Sequence, residues 1–314
     1  MKDGKPIVLV TGANGFIGRH LTPVLESAGW TVRRVLRTPT GGPNEIHIGS
    51  IGPAMDWQDA LVDVDAIVHL AAHVHAPYEE HLVELHRTVN TEGTLNLARS
   101  AANAGVRRFV FISTILVNGR SSDGRAPFSE TDPPTPYGVY GMSKAAAETG
   151  LEAIAQNGGM RVTVIRPPLV YGAGAKGNFR RLTYAIERGI PLPFASIDNR
   201  RAFLAVGNLT GFILERLSQP GGQFDVFPVA DDEAVSTPEF IRKIARAAGT
   251  SARLFSVPPS VLSALFKISG RPEAIDSVIG SLQIDISKAV STGWRPRIGL
   301  DEGLRLAVGA SGPK

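Results

Sequence analysis

The first half of the chain alternates short apolar runs with longer stretches of helical periodicity. The apolar runs cover residues 7–10, 66–70, 108–112 and 162–165, and the helical patterns cover 17–28, 88–104 and 140–156. Uninterrupted apolar runs are typical of strands buried on both faces of a parallel sheet. The alternation of strand and helix therefore predicts an α/β protein with a doubly wound parallel sheet.

The pattern changes after residue 168. Residues 171–178 are rich in glycine, prolines recur at 191, 193, 258 and 259, and the helical stretches become shorter. Glycine and proline clusters indicate turns. We expect two domains, residues 1–168 and a smaller C-terminal lobe of residues 169–314, with the chain crossing back to the first.

Composition excludes several classes of function. The net charge is +4, from 33 basic and 29 acidic residues that are scattered along the chain, so no nucleic-acid partner is expected. The absence of cysteine excludes disulfides and thiol chemistry. No apolar run is long enough to span a membrane. Because residues 1–6 lead directly into the first predicted strand, we expect no signal peptide. We expect a cytoplasmic protein.

Three glycines follow the first predicted strand and open the first helix. Gly12, Gly15 and Gly18 have the spacing G-x-x-G-x-x-G, with Asn14 and the pair Phe16-Ile17 between them. Glycine permits a tight turn and a close approach of the backbone to a pyrophosphate, which the helix N-terminus attracts. These residues predict a Rossmann-type dinucleotide site.

The choice of cofactor depends on a position about 20 residues further on, where an acidic side chain binds the adenosine ribose. The predicted strand of residues 31–37 ends in Leu36 and Arg37, without Asp or Glu. Arginine can pair with a 2′-phosphate. The sequence thus favours NADP(H) over NAD(H). If the arginines of this strand only form a solvated face, the protein binds NAD instead.

Tyr140 and Lys144 lie four residues apart on a predicted helix and so share one face. A neighbouring ammonium and an oxidised nicotinamide both favour the phenolate, which lowers the pKa of a tyrosine towards a usable value. Thr114 follows the strand of residues 108–112 and places a hydroxyl where it can bind a carbonyl or alkoxide oxygen. The trio fits removal of a hydroxyl proton while hydride leaves the same carbon.

Further motifs accompany these two sites. They are Asp56-Trp57, His69-Leu70-Ala71-Ala72, Val89-Asn90-Thr91-Glu92-Gly93-Thr94, Phe111-Ile112-Ser113-Thr114, Arg166-Pro167-Pro168-Leu169-Val170-Tyr171-Gly172, Asp285-Ile286-Ser287-Lys288-Ala289 and Gly293-Trp294. In this combination the chain resembles, almost from end to end, the extended short-chain dehydrogenases/reductases that act on nucleotide sugars as epimerases, dehydratases and reductases.

The resemblance implies a role for each matching residue. Tyr140 is the general base or acid, Lys144 tunes it and binds the nicotinamide ribose, and Thr114 holds the reacting oxygen. Further cofactor contacts are implied at Asp56, Leu70, Ala71, Ala72, Asn90 and Pro167. The substrate is a UDP-sugar, whose diphosphate is expected at Asn178, Arg201 and Arg271. A homodimer is usual in the resembled family.

Three positions depart from the pattern of UDP-galactose 4-epimerases. Leu169 replaces an Asn that contacts the substrate phosphate, Leu36 replaces the acidic cofactor residue, and Thr114 stands where Ser is frequent. His69, His73 and His75 form a cluster, but the resemblance places this segment beside the cofactor, so no metal is expected.

The sequence supports two reactions at C4 of the sugar almost equally well. The segments 112–119 and 166–172 resemble bacterial UDP-N-acetylquinovosamine dehydrogenases of polysaccharide precursor synthesis, and together with Arg37 they favour a UDP-4-keto-6-deoxy-HexNAc reductase. The alternative is a UDP-hexose or UDP-HexNAc 4-epimerase with tightly bound NAD. A dehydratase is disfavoured because Ile115-Leu116 replaces its Asp-Glu pair. A non-catalytic dinucleotide sensor is disfavoured by the intact catalytic set.

Overall fold

The computed structural model describes residues 4–74, 80–219, 221–268 and 273–309. The strands are β1 (Ile7–Thr11), β2 (Thr31–Leu36), β3 (Glu45–His47), β4 (Ala66–His69), β5 (Arg108–Ile112), β6 (Arg161–Arg166), β7 (Leu169–Tyr171), β8 (Phe203–Ala205) and β9 (Phe224–Pro228). The α-helices are α1 (Phe16–Ser27), α2 (Glu80–His86), α3 (Gly93–Asn103), α4 (Gly138–Asn157), α5 (Asn178–Glu187), α6 (Val206–Ser218), α7 (Thr237–Ala247), α8 (Pro259–Ile268), α9 (Glu273–Val278), α10 (Ser287–Ser291) and α11 (Leu300–Gly309).

Seven strands form the main sheet in the order β3-β2-β1-β4-β5-β6-β9. The pairs β1–β2, β1–β4, β2–β3, β4–β5 and β5–β6 are all parallel. The predicted doubly wound fold is confirmed. The strand order reverses between β1 and β4, and ligands of such sheets bind in the crevice beyond the carboxyl ends of the strands at this point.

The apolar runs form strands because they fill the core on both faces of the sheet. Val8, Leu9 and Val10 of β1 have no exposed surface, and Ala66–Val68 of β4 are equally buried. Leu21 and Leu25, one turn apart on α1, are also fully buried. These strand and helix faces therefore hold the glycine turn between two rigid elements.

The predicted helix of residues 88–104 differs from the observed chain. Residues 87–92 form a π-helical turn between α2 and α3. A Cβ at Gly93, directly after this turn, would lie 2.6 Å from Cγ2 of Ile51 and 3.1 Å from the Gly52 nitrogen, so the absence of a side chain lets α3 approach that loop. Single π-turns inside helices are frequently found at functional sites, and this one carries Asn90.

The chain divides into two compact units. The first comprises residues 1–118, 133–166 and 210–227, and the second comprises 119–132, 167–209 and 228–314. The expected boundary after residue 168 and the substrate-binding role of the second part stay predictions. None of the helices in the described ranges is long and apolar enough to cross a membrane.

The second unit has its own polar and aromatic core. Strands β7 and β8 pair in parallel, and the Phe203 and Phe240 rings stack with centroids 3.8 Å apart. The buried phenol of Tyr171 donates a hydrogen bond of 2.9 Å to Asp231, which also accepts from Asn208 at 2.7 Å. This network satisfies a carboxylate that burial would otherwise penalise.

Replacement of Gly303 by alanine tests the packing of α11 on this core. The added Cβ would lie 2.5 Å from Oη of Tyr171 and 3.0 Å from its ring, so we expect Gly303→Ala to lower the free energy of unfolding by about 1–3 kcal/mol. Gly211→Ala on α6 is the control, because nothing lies within 4 Å of the new Cβ and alanine favours a helix. Urea unfolding would measure both. Equal stabilities would contradict the packing.

Candidate active site

The glycine turn joins β1 to α1 with little room for side chains. Gly12 has φ +69°, and a Cβ there would lie 3.0 Å from the Ala71 nitrogen. A Cβ at Gly18 would lie 2.4 Å from the Gly12 carbonyl oxygen. Gly15 precedes α1 without a side-chain cap, and the first turn of α1 holds no acidic residue. The N–H groups and dipole of α1 are therefore available to an anion.

The neighbouring residues of the turn are accessible or partly so. Asn14 is exposed, and its carbonyl oxygen accepts a 2.8 Å hydrogen bond from Nε of Arg19. Phe16 and Ile17 are half-buried at the start of α1. Their cofactor contacts stay predictions.

A buried hydrogen-bond chain fixes the loop that faces the turn. Thr11 donates to Nδ1 of His69 at 2.7 Å and accepts from the Ala71 N–H at 3.3 Å. On the other side of the ring, Nε2 of His69 donates to Thr94 at 2.9 Å, and Thr94 donates to the Asn90 carbonyl at 2.7 Å. Thr94 donates its one hydroxyl hydrogen to Asn90 and therefore accepts a hydrogen bond from His69. In the neutral imidazole of His69 the hydrogen thus lies on Nε2. Burial lowers the pKa of His69 to about 3, with Lys144 adding to the effect.

Tyr140 and Lys144 lie on α4, as their spacing predicts. Lys144 is 1% exposed, donates to the Ile112 carbonyl at 2.8 Å, and lies 4.3 Å from the centre of the Phe111 ring. Its Nζ lies 5.9 Å from the centre of the Tyr140 ring. The strand end of β5 therefore holds the ammonium beside the phenol.

Burial opposes the charged form of both groups. It lowers the pKa of Lys144 to about 7, although the Glu148 carboxylate opposes this shift. It raises the pKa of the half-buried Tyr140 phenol above its ordinary value. The lowering of the Tyr140 pKa expected from Lys144 together with an oxidised nicotinamide stays a prediction for the cofactor-bound protein.

Thr114 comes directly after β5 and begins the 3-10 turn of residues 115–117. Its Oγ1 accepts from the Leu116 N–H at 3.3 Å. The Leu116 carbonyl accepts from the Tyr137 N–H at 2.9 Å, and a Cβ at Gly141 would lie 3.0 Å from the same oxygen. The start of α4 is thereby packed against the turn that carries Thr114.

A buried ion pair lies one helical turn beyond Lys144. Glu148 accepts from Nε of Arg166 at 3.1 Å with both oxygens and from its Nη2 at 2.5 Å. Ser113 also donates to Glu148, and Nη1 of Arg166 donates to Asn118 at 2.9 Å. No motif in the sequence points to Glu148, although its position four residues after Lys144 places it on the same face of α4.

Asn90 is fully buried in the π-turn and binds the loop after β4. Its Oδ1 accepts from the His73 N–H at 2.7 Å, and its Nδ2 donates to the His73 carbonyl at 2.9 Å. Nδ2 also lies 3.1 Å from Oγ of Ser143, which donates to the Tyr140 carbonyl at 2.8 Å. Asn90 thus connects the loop of Leu70–Ala72 with the helix that carries Tyr140.

At the far end of the predicted cofactor site, Leu36 is buried and Arg37 is exposed. The Arg37 carbonyl lies 2.7 Å from Nε2 of His47. Asp56 is exposed and accepts from the Gln58 N–H at 2.9 Å. Both charged side chains are accessible, and their contacts with adenosine stay predictions.

The predicted phosphate ligands lie in the second unit. Asn178 is exposed at the start of α5. Pro167, a predicted cofactor contact, precedes β7 in the same unit. Nη1 of Arg201 donates to the carbonyls of Asp276 at 2.8 Å and Gly280 at 2.6 Å, and burial lowers the pKa of Arg201 to about 10. Arg271 and His75 lie outside the described residues. Within the described ranges, no group of three or more histidine, aspartate or glutamate side chains is arranged to hold a metal ion.

Comparison with known proteins decides the family. The family described as NAD dependent epimerase/dehydratase matches residues 8–227. A UDP-glucose 4-epimerase of Vibrio cholerae is 36% identical over 310 residues, which cover 96% of this chain and 94% of the relative. The chain belongs to the NAD dependent epimerase/dehydratase family. It is therefore an enzyme of the extended short-chain dehydrogenase/reductase group.

Two solved structures support this assignment. MoeE5 in complex with UDP-glucose and NAD is 30% identical, with a TM-score of 0.79 over 97% of this chain and 98% of that one. The Thermus thermophilus UDP-glucose 4-epimerase complex with NAD is 25% identical, with a TM-score of 0.75 over 98% and 100%.

Removal of the Arg166 cation tests the ion pair. We expect Arg166→Met to lower the free energy of unfolding by about 3–5 kcal/mol, because Glu148 stays buried without its cation. The double variant Glu148→Leu/Arg166→Met leaves no unpaired charge and should recover most of the loss. Urea unfolding measures both, and a double variant no more stable than Arg166→Met would contradict the argument.

The pKa of Lys144 predicts a pH-dependent stability. Burial lowers it from 10.5 to about 7, so between these values the unfolded chain binds a proton that the folded protein does not. Stability contributed by this group therefore rises with pH across that window. We expect the free energy of unfolding of the wild type, relative to Lys144→Met, to increase from pH 7 to pH 10. Parallel pH profiles would show that Lys144 keeps an ordinary pKa.

Proposed function

We propose that this chain is an NAD(P)-dependent oxidoreductase that acts at C4 of a UDP-sugar. The observation that carries the proposal is the position of Lys144, which donates to Ile112 at the carboxyl end of β5, two strands from the glycine turn, and lies 5.9 Å from the centre of the Tyr140 ring. Thr114 follows two residues after Ile112. The backbone at Gly12 and Gly18 carries no side chain, and α1 begins without a side-chain cap. Both features fit the binding of a dinucleotide.

Tyr140, Thr114 and Lys144 each have a separate role in the proposed reaction. Tyr140 takes the proton of the C4 hydroxyl during oxidation and returns it during reduction. Thr114 holds the same oxygen by a hydrogen bond, and a protonated Lys144 favours the phenolate. The nicotinamide, when bound, accepts the hydride from C4 or supplies it.

We propose 4-epimerisation as the first candidate reaction. The Vibrio cholerae relative that matches nearly the whole chain is a UDP-glucose 4-epimerase, and the MoeE5 structure holds UDP-glucose and NAD. In such a reaction the 4-keto sugar rotates in the site before hydride returns to the opposite face of C4. The reaction therefore consumes no cofactor.

The reductase predicted from the sequence is the second candidate. Leu36 is buried at the end of β2, where an acidic residue would bind the adenosine ribose, and Arg37 is exposed beside it. This arrangement favours NADP(H) through pairing with a 2′-phosphate. NADPH exchanges in each cycle of a UDP-4-keto-6-deoxy-HexNAc reductase, whereas an epimerase retains NAD. We also propose, from the family resemblance, a cytoplasmic homodimer.

One assay separates the candidates. The protein is incubated with UDP-glucose or UDP-N-acetylglucosamine and NAD⁺, and separately with a UDP-4-keto-6-deoxy-N-acetylhexosamine and NADH or NADPH. A C4 epimer without net change in nicotinamide absorbance would establish the epimerase. Stoichiometric loss of reduced cofactor would establish the reductase, and the faster cofactor would decide the role of Arg37. Cofactor binding without either reaction would favour the dinucleotide sensor and refute the proposal.

Removal of the Tyr140 hydroxyl tests the mechanism. We expect Tyr140→Phe to lower kcat by about 10²–10⁴-fold, because the phenylalanine ring keeps the packing but cannot move the proton. Cofactor affinity, measured by fluorescence titration, should stay within a few-fold of the wild type. Tyr184→Phe is the matched control, since Tyr184 is 53% exposed on α5. Undiminished turnover in Tyr140→Phe would eliminate Tyr140 as the acid or base.

A further inference from the structure

Helix α8 of the second unit carries an apolar stripe on its exposed side. Val261, Ala264, Leu265 and Ile268 have the spacing i, i+3, i+4, i+7, which places them on one face of the helix. All four are exposed, and the exposed fractions of Leu265 and Ile268 are 56% and 84%. In a surface helix a stripe with this spacing normally faces the core. On α8 it faces solvent.

A different face attaches α8 to its unit. Leu262 is buried, and Phe266, one turn later, is half-buried. Rotation of the helix to bury the apolar stripe would therefore expose these two side chains. The exposure of the stripe is thus a consequence of how α8 is packed.

Further exposed apolar side chains lie just before α8. The Phe255 N–H donates to the Leu192 carbonyl at 3.1 Å, and the Leu192 N–H donates to the Arg253 carbonyl at 2.8 Å. These bonds place the segments that carry Phe255 and Ile190 side by side, and the exposed fractions of the two residues are 48% and 45%. Exposed apolar patches mark sites of interaction with another protein, a ligand or a membrane.

The undescribed segments of the second unit offer no apolar cover for this surface. Residues 269–272 are Ser-Gly-Arg-Pro and residues 310–314 are Ala-Ser-Gly-Pro-Lys. Neither segment contains a large apolar side chain, so neither can bury the stripe by hydrophobic contact.

The charge along this part of the chain is positive. Residues 240–272 contain six lysines and arginines and no aspartate or glutamate. Two of the six pair with Asp301. Arg253 and Lys267, before and at the end of α8, are exposed, and neither forms an ion pair with another described residue. Apolar side chains flanked by free cations are suited to a surface of anionic phospholipids.

The same cations argue against a second copy of this chain as the partner. A two-fold interface places the same patch on both subunits, so Arg253 and Lys267 would be brought close to their own copies. Like charges that meet across an interface are unfavourable. At a bilayer, in contrast, the two side chains can extend to the phosphates while the apolar side chains enter the lipid.

We propose that α8 docks on the surface of a bilayer that contains anionic phospholipids. Val261, Leu265 and Ile268 enter the boundary between headgroups and acyl chains, and Arg253 and Lys267 bind lipid phosphates. A helix bound in this way lies on the membrane and does not cross it. The binding needs neither cofactor nor substrate, so it is independent of the proposed reaction.

Sedimentation of the full chain with vesicles tests the proposal. We expect the wild type to bind vesicles of phosphatidylglycerol and phosphatidylcholine, and the binding to weaken as salt is added. Leu265→Glu should lower the partition coefficient by about 10-fold or more, because a buried leucine is replaced by a charge that the lipid repels. Ile268→Glu is a second variant at a more exposed position, in case the first does not fold.

Leu306→Glu is the matched control. Leu306 is 57% exposed on α11, almost the same as Leu265, and the first turn of that helix carries two acidic residues. This variant should bind the vesicles as the wild type does. Equal loss of binding in Leu265→Glu and Leu306→Glu would mean that any added negative charge acts through the net charge, and it would overturn the assignment to α8.

Removal of one cation tests the electrostatic part. Lys267→Gln should lower the partition coefficient on vesicles with phosphatidylglycerol about 5-fold, the effect of one basic residue near an anionic surface. On vesicles of phosphatidylcholine alone it should have no effect. A fall of the same size on both kinds of vesicle would contradict the binding of lipid phosphate by Lys267.

Two results would overturn the proposal as a whole. One is a wild type that sediments with neither kind of vesicle. The other is a wild-type dimer in sedimentation velocity that Leu265→Glu converts to a monomer without any vesicle binding, which would assign the stripe to a second copy. Vesicle binding by a protein that shows no turnover with any of the sugars would leave this proposal intact and refute the proposed function.

Discussion

The ion pair between Glu148 and Arg166 holds together the segments on which the candidate site depends. Glu148 comes from the helix that carries Tyr140 and Lys144, and Arg166 from the end of β6. Through Ser113 and Asn118 the pair also binds both ends of the segment that contains Thr114. Because an unpaired buried charge is costly, these segments are constrained to one arrangement, in which the Lys144 ammonium lies 5.9 Å from the centre of the Tyr140 ring.

The π-turn supplies a second constraint, separate from the ion pair. By widening the helix at residues 87–92 it buries Asn90, whose amide bonds the loop after β4 and Ser143 of α4. The chain of Thr11, His69 and Thr94 then connects this region to the end of β1. The glycine turn and the helix that carries Tyr140 and Lys144 are thus joined by buried hydrogen bonds, which leave little freedom for either to shift.

Much of this arrangement follows from local patterns. The observed β5 has the predicted bounds, and β1, β4, β6, α1 and α4 differ from the predicted elements by one or two residues at their ends. Burial on both faces of a strand and the 3.6-residue period of a helix are local properties, so they are visible in a single sequence. The sequence pattern does not predict the π-turn, because the turn has no period of its own, and its contacts are long-range: Asn90 binds His73, and Gly93 leaves room for Ile51.

The sequence by itself determined the buried strands, the glycine turn and the placement of Tyr140 and Lys144 on one helix face, since each depends on residues close in the chain. Only the tertiary structure decided the electrostatics. It showed that burial raises the pKa of Tyr140, that Arg201 already donates to backbone carbonyls, and that Nε2 of His73 has no hydrogen-bond partner among the described residues. These properties depend on the solvent and partners that distant segments exclude or provide, and no spacing along the chain encodes them.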